Sequence, residues 1–200
     1  MGSKLEQRKF RHDNYHQKAK QQNYPARSIY KLEELDRRFH LIKTGQRILD
    51  LGCRPGSWLL YVAKRVGPNG HVIGLDREAL DIPLPDNAQM IVGDVLTIAA
   101  KTLRCDFPCF HTILSDMAPD TTGVTFADQV RSLELFERAL ELSLELGCPN
   151  GNFVCKLFMG EGFQDALSKT KQSYKQCKTV RPDATRKSST EVYVVGQGRI

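Results

Sequence analysis

The sequence predicts one α/β domain: a mostly parallel, doubly wound sheet of seven strands with helices on both faces. Three observations carry this. Short apolar runs alternate with helical stretches along the chain, the pattern of repeated βαβ units. A glycine-containing turn, Asp50-Leu-Gly-Cys-Arg-Pro-Gly-Ser-Trp58, joins the first apolar run to the helix that follows it. Four acids, Asp50, Asp76, Asp94 and Asp116, fall at or just past the ends of such runs, where an open α/β sheet places its ligands.

Taken in order, residues 26–39 carry Ile29, Leu32, Leu35 and Phe39 at helical spacing, and the polar Lys43-Thr-Gly-Gln46 separates this helix from a strand over 47–51. A helix over 57–66, a Gly-Pro-Asn-Gly turn and a strand over 71–75 complete one βαβ unit. Apolar runs at 89–92 and 111–114 read as strands, 126–146 as a long amphipathic helix, and 152–157 as another strand. A helix over 163–174 precedes strands near 176–180 and 192–195. With no internal repeat or interdomain linker, the chain divides into a basic N-terminal arm, residues 1–25, and the domain, residues 26–200.

A chain of 200 residues with 40% hydrophobic content can bury one sizeable core. No apolar stretch approaches the ~20 residues of a membrane span, and the opening segment is too polar for a secretory signal. The expectation is a cytoplasmic protein, with a monomer as its simplest state. The six cysteines, 53, 105, 109, 148, 155 and 177, show no paired framework and read as small buried hydrophobes in a reducing compartment. Cys105, Cys109 and His111 lack a second pair at zinc spacing, so no metal site is expected.

The net charge of +6 is unevenly distributed. Between Lys4 and Lys31 eight Lys/Arg face two acids, with Phe10, Tyr15, Tyr24 and Tyr30 interleaved; from Lys169 to Lys187 seven face Asp183 alone. Such clusters are either solvated faces or, where they converge, a surface for a phosphate backbone.

Gly52 and Gly56 are spaced G-x-x-x-G, not the G-x-G-x-x-G of dinucleotide binders, which disfavours a nicotinamide cofactor. Alone, the turn is either a cradle whose helix N-terminus offers free N–H groups or a plain tight connection. The strand-end acids favour the cradle. Asp76 is placed to accept hydrogen bonds from two ribose hydroxyls and Asp94 to receive an exocyclic amine, although each acid alone could equally cap a helix.

Four separated segments have a family likeness: Asp50-Leu-Gly-x-x-Pro-Gly-Ser-Trp58; Ser115-Asp-Met-Ala-Pro119; Phe153-Val-Cys-Lys156 with Gly160-Glu-Gly-Phe163; and Arg181-Pro-Asp-Ala-Thr-Arg-Lys-Ser-Ser-Thr-Glu191-Val-Tyr193. Together, over about Tyr15 to Arg199, the sequence resembles the FtsJ-like (RlmE-type) ribosomal RNA large-subunit 2′-O-methyltransferases. The resemblance implies a Rossmann-like, S-adenosylmethionine-dependent fold and a Lys-Asp-Lys-Glu tetrad, here Lys31, Asp116, Lys156 and Glu191. It also implies cofactor contacts from Gly56, Trp58, Asp76, Asp94 and Asp116. The implied reaction is 2′-O-methylation of a uridine in large-subunit ribosomal RNA, with that RNA or the subunit as partner and no membrane. A transfer RNA anticodon-loop enzyme and a non-catalytic RNA-binding assembly factor are the alternatives. In the first motif many members have Ala-Ala-Pro-Gly-Gly where this chain has Cys53-Arg-Pro-Gly-Ser57, a difference that bears on packing at the turn.

The tetrad residues suit this chemistry. A ribose hydroxyl is a poor nucleophile and needs positioning plus a group that takes or orients its proton. Lysine is a base only when neutral, and its ordinary pKa is ~10.4. Lys31 would push Lys156 toward neutrality while Asp116 and Glu191 oppose it, so Lys156 is either the base or a stabiliser of the developing oxyanion. Taken singly, Lys31 could be an exposed helix lysine and Glu191 a strand-edge charge.

Overall fold

The computed structural model describes residues 15, 17–120, 125–186 and 189–200. Seven strands form one sheet in the order β3-β2-β1-β4-β5-β7-β6. They are β1 (Arg47–Leu51), β2 (His71–Asp76), β3 (Ala88–Val92), β4 (Phe110–Ser115), β5 (Gly147–Phe158), β6 (Tyr174–Val180) and β7 (Glu191–Arg199). After the arm, whose residues 17–21 are helical, come helices α1 (Ile29–Phe39), α2 (Ser57–Val66), α3 (Ala100–Arg104), α4 (Thr125–Leu146) and α5 (Phe163–Ser173). β1 pairs in parallel with both β2 and β4, so strand order reverses across β1 and a crevice opens at the carboxyl ends there.

Alternation along the strands sorts the core into two layers. Leu49 and Leu51 of β1 join Ile113, Phe136, Phe153 and Leu157 beneath α3, α4 and α5. Ile48 joins Leu32, Leu35, Trp58, Leu59 and Val62 beneath α1 and α2. On that second face β2 has Gly74, where a Cβ would stand 2.4 Å from Leu59 Cδ1; the missing side chain lets α2 lie close over the first βαβ unit. α1 ends where His40 turns left-handed and its N–H bonds Asp36 O, while Asp36 Oδ1 accepts from Ile42 N at 2.9 Å.

The sheet is mostly parallel, as the alternation predicts, but β7 runs antiparallel between β5 and β6. That reversal has a functional consequence: the first residue of β7, Glu191, lies at the edge where β4 and β5 end. The strand begins one residue before the expected 192, and β5 begins at Gly147, well ahead of 152, through a register shift against β4. α3 has no counterpart in the sequence reading because five residues are too few to show a helical period.

The cysteine reading needs correction. Cys109 and Cys148 form a disulfide, with an S–S distance of 2.07 Å. They stand beside the paired Phe110 and Gly147 of β4 and β5, a proximity that a separation of 39 residues conceals in the sequence. Cys105 is exposed, whereas Cys53 and Cys155 are buried as expected.

The described end of the arm packs on the domain. Ala19 clusters with Ile29, Tyr30 and Ala184, and just past the arm Ala26 N–H donates to Ser57 Oγ at 2.7 Å. Residues 1–14 and 16, and Lys187 of the second basic segment, lie outside the described residues. Among the described residues no helix is long and apolar enough to cross a membrane.

Phe153 is the pivot of the larger layer, edge-on to Phe136 and stacked on Tyr174. Phe153→Ala is expected to cost about 3–5 kcal/mol of stability, measured by denaturant unfolding.

Candidate active site

Two neighbouring features occupy the carboxyl edge of the sheet. The first is a cleft of ≈ 600 Å³ over the ends of β1, β2 and β4, lined by Gly52, Asp76, Asp94 and Asp116 among others. Gly52 has φ +75°, and a Cβ there would stand 2.3 Å from Met117 Cγ, so the turn after β1 and the loop after β4 can meet only with glycine in this place. Asp76 Oδ2 accepts from Arg54 N–H at 3.0 Å, and Asp94 Oδ1 from Leu96 N–H at 2.9 Å. These bonds fix the rotamers of two cleft acids. Leu96 and Leu135 add apolar wall. α4 is tied beneath that wall by Arg138, which donates to Val95 O and Ile98 O at 3.0 and 2.8 Å.

Two sequence-predicted cofactor residues stand outside this lining. Trp58 is 3% exposed, and its Nε1–H donates to Ser28 O at 2.9 Å; the indole fastens the segment before α1 to α2. Gly56 has φ +105°, and a Cβ there would stand 2.4 Å from Ile82 Cδ1, so it accommodates the loop after β2. Conversely, Arg77, Met117, Arg131 and Leu135 line the cleft without having been singled out. For Arg131 and Leu135 the sequence shows only an amphipathic helix, and no period reveals which turn of it meets a cleft.

The second feature is the tetrad, which the fold assembles from four distant segments. Lys156 follows the apolar Phe153-Val154-Cys155 in β5 and is 7% exposed. Its ammonium donates to the backbone O of Asp116 at 2.6 Å and to Asp116 Oδ1 at 3.0 Å. Lys31, on the first turn of α1, pairs with Glu191 at 2.5 Å. Lys31 is buried, not the exposed helix lysine that its position alone allowed. The tetrad is thus two ion pairs, not one four-membered ring of contacts. Burial by itself would raise the carboxyl of Asp116, but the opposing charges of Lys156 and Lys31 and the Tyr193 hydroxyl hold it below its ordinary value. Among the described residues no hydrogen bond engages Asp116 Oδ2, and Asp116 also lines the cleft; it is the residue shared by the two features.

The mouth beside the tetrad is cationic. Arg27 is held below its usual range by burial and by the nearby Arg186, against the pull of Glu191. The 182–186 loop is moored to α1 by Asp183 N–H donating to Glu34 Oε2 at 2.8 Å. In the described remainder of the second basic segment, Lys169 pairs with Glu137 and Lys175 bonds Asn150, while the 181–186 end follows Val180, the residue of β6 opposite Tyr193.

The profile of the FtsJ-like methyltransferases matches residues 24–199 of this chain. The chain belongs to that family. It is 43% identical over 196 residues, 98% of its length and 95% of the relative's, to the protein named ribosomal RNA large subunit methyltransferase E of Desulfatibacillum aliphaticivorans. The protein of the same name from Sorangium cellulosum is 42% identical over 94% of the chain and 89% of its own length. The fold is shared with a Plasmodium falciparum chain named as a ribosomal RNA methyltransferase, at TM-score 0.77 and 27% identity over 88% of this chain and 98% of that one. An FtsJ-like methyltransferase therefore has, at the carboxyl edge of its sheet, both an acid-lined cleft and a buried pair of lysines.

Asp50 lies under the cleft turn, fully buried, with both carboxyl oxygens lacking a hydrogen-bond partner among the described residues. Burial first, then the charges of Asp116 and Asp76, push its carboxyl well above 3.8. A carboxyl neutral when folded and ionised when unfolded destabilises the fold as pH rises above the unfolded value. Asp50→Asn is expected to raise the thermal midpoint at about pH 7, with the gain fading toward about pH 4. An equal gain at both pH values would contradict this account.

Proposed function

We propose that this methyltransferase transfers a methyl group from S-adenosylmethionine to the 2′-hydroxyl of a uridine in large-subunit ribosomal RNA, in the cytoplasm. The observation that carries the reading is the buried Lys156–Asp116 pair at the lip of a cleft whose floor is acidic. The cleft fits a nucleoside with a cationic tail. Asp76 would hold ribose hydroxyls and Asp94 an exocyclic amine, beside the apolar wall of Leu96 and Leu135. When bound, S-adenosylmethionine supplies an electrophilic methyl on a sulfonium.

Lys156 supplies the positioning. Two of its three N–H groups are spent on Asp116, leaving a third for the substrate oxygen. From there it orients the hydroxyl and stabilises the negative charge that grows on oxygen as the O–C bond forms and the hydroxyl proton passes to solvent water. This geometry favours the oxyanion-stabilising role over removal of the proton by Lys156. Glu191 neutralises Lys31 beside it, which keeps a second cation in the site at low electrostatic cost.

The RNA reading rests on charge and on the relatives. Arg27 lies near enough to Arg186 and Glu191 to feel both charges, a local concentration of positive charge beside the tetrad that suits an RNA phosphate, and the relatives at 42–43% identity are named for large-subunit ribosomal RNA. The basic arm, residues 1–25, is the further RNA-contacting segment of this reading, by its charge and its interleaved aromatic residues.

Lys156→Ala is expected to abolish methyl transfer to large-subunit RNA while calorimetry still detects S-adenosylmethionine binding, and Asp76→Ala to weaken that binding by about tenfold or more. Methylation of bulk transfer RNA in preference to large-subunit RNA would redirect the substrate assignment, and wild-type turnover by Lys156→Ala would overturn the site.

A further inference from the structure

Tyr193 is a wholly buried phenol for which the chemistry above has no role. It stands on β7 directly opposite Lys156 on β5. Its hydroxyl donates to Asp116 Oδ1 at 2.5 Å, the same oxygen that accepts from Lys156 Nζ at 3.0 Å. Lys31 Nζ lies 5.7 Å from the centroid of its ring, and the indole of Trp58 lies 6.0 Å from it, centroid to centroid. One side chain thus touches both ion pairs, which share no direct hydrogen bond among the described residues.

A buried tyrosine needs only some acceptor, and in a sheet a backbone carbonyl often serves. This one uses the charged carboxylate that anchors Lys156. The phenol is held well above its ordinary range by burial and by the Asp116 charge, so it stays a donor at all working pH values. With Tyr193 and Lys156 converging on one oxygen from two strands, the carboxyl group loses its freedom to rotate. The ring face attracts the Lys31 ammonium and sets its distance from Asp116.

We propose that Tyr193 is a positioning residue of the methyl transfer: by clamping Asp116 it aims the Lys156 ammonium, and by its ring it seats Lys31 beside them. It acts through these residues and touches neither substrate nor cofactor. The inference rests on the assignment of Asp116 and Lys156 to the reacting site.

The test pairs Tyr193→Phe, which removes only the hydroxyl, with Tyr193→Leu, which also removes the ring. Turnover on large-subunit RNA is normalised to S-adenosylmethionine sites counted by calorimetry, so any unfolded fraction drops out. Tyr193→Phe is expected to lower kcat about tenfold, the effect of losing one hydrogen bond to a charged group. The KM for RNA and the Kd for S-adenosylmethionine should stay within about twofold. Tyr193→Leu should lose a further factor through Lys31. Wild-type kcat in Tyr193→Phe would overturn the proposal, as would an effect confined to KM. Total loss of cofactor binding by Tyr193→Phe would also overturn it, since the hydroxyl would then serve the fold. Lys156→Ala, assayed alongside, separates the two levels. If it is inactive while Tyr193→Phe is unimpaired, only the role of Tyr193 falls; if it is active, the underlying site assignment falls with it.

Discussion

The contact between Lys156 and Asp116 is the constraint around which the rest of the molecule is arranged. Both groups are largely withdrawn from water, and a charge in that position is tolerated only when its partner and further hydrogen bonds are in place. The parallel pairing of β4 and β5 supplies the distance. Ser115 and Cys155 are register partners, so the next residue of each strand, the acid and the lysine, emerge side by side. The backbone carbonyl of Asp116 accepts a second bond from the same ammonium, which ties the lysine to the loop as well as to the side chain.

Electrostatic sign divides the carboxyl edge into two territories. On the cleft side, Asp76, Asp94, Asp116, Asp120 and Glu134 outnumber Arg54, Arg77 and Arg131 in the lining, a surrounding that suits a cationic guest. On the other side, Lys31, Arg27 and Arg186 gather around the tetrad, a surrounding that suits a polyanion. Asp116 stands on the border. The reacting atoms of a sulfonium donor and an RNA acceptor would be brought together at that border, each drawn there by opposite charge.

Much of this was legible in the sequence, for definite reasons. The strand-end acids announced themselves because each closes or follows a short apolar run of strand length, four times over, and Lys156 was visible by the same logic after Phe153-Val-Cys155. The join between Lys31 and Glu191 was not readable from local pattern, since 160 residues separate them and their meeting depends on β7 inserting antiparallel beside β5. Only the family likeness placed them together. Trp58 and Gly56 illustrate the reverse case. In the structure the indole of one fastens the segment before α1 to α2 and the bare Cα of the other admits the loop after β2, packing roles that a linear motif does not display. The Cys109–Cys148 pair and the Tyr193 hydroxyl were hidden for the same reason as Glu191: adjacency across a sheet leaves no trace in spacing along the chain.

The central claim is geometric, that the methyl donor and the RNA hydroxyl meet at the Asp116–Lys156 contact. A crystal structure with S-adenosylmethionine, or its demethylated product, and a fragment of large-subunit RNA tests it directly. The account predicts the nucleoside between Asp76 and Asp94, with the sulfur facing a target 2′-oxygen within about 3 Å of Lys156 Nζ. A target ribose bound away from Lys156, or a nucleoside outside the acid-lined cleft, would contradict it.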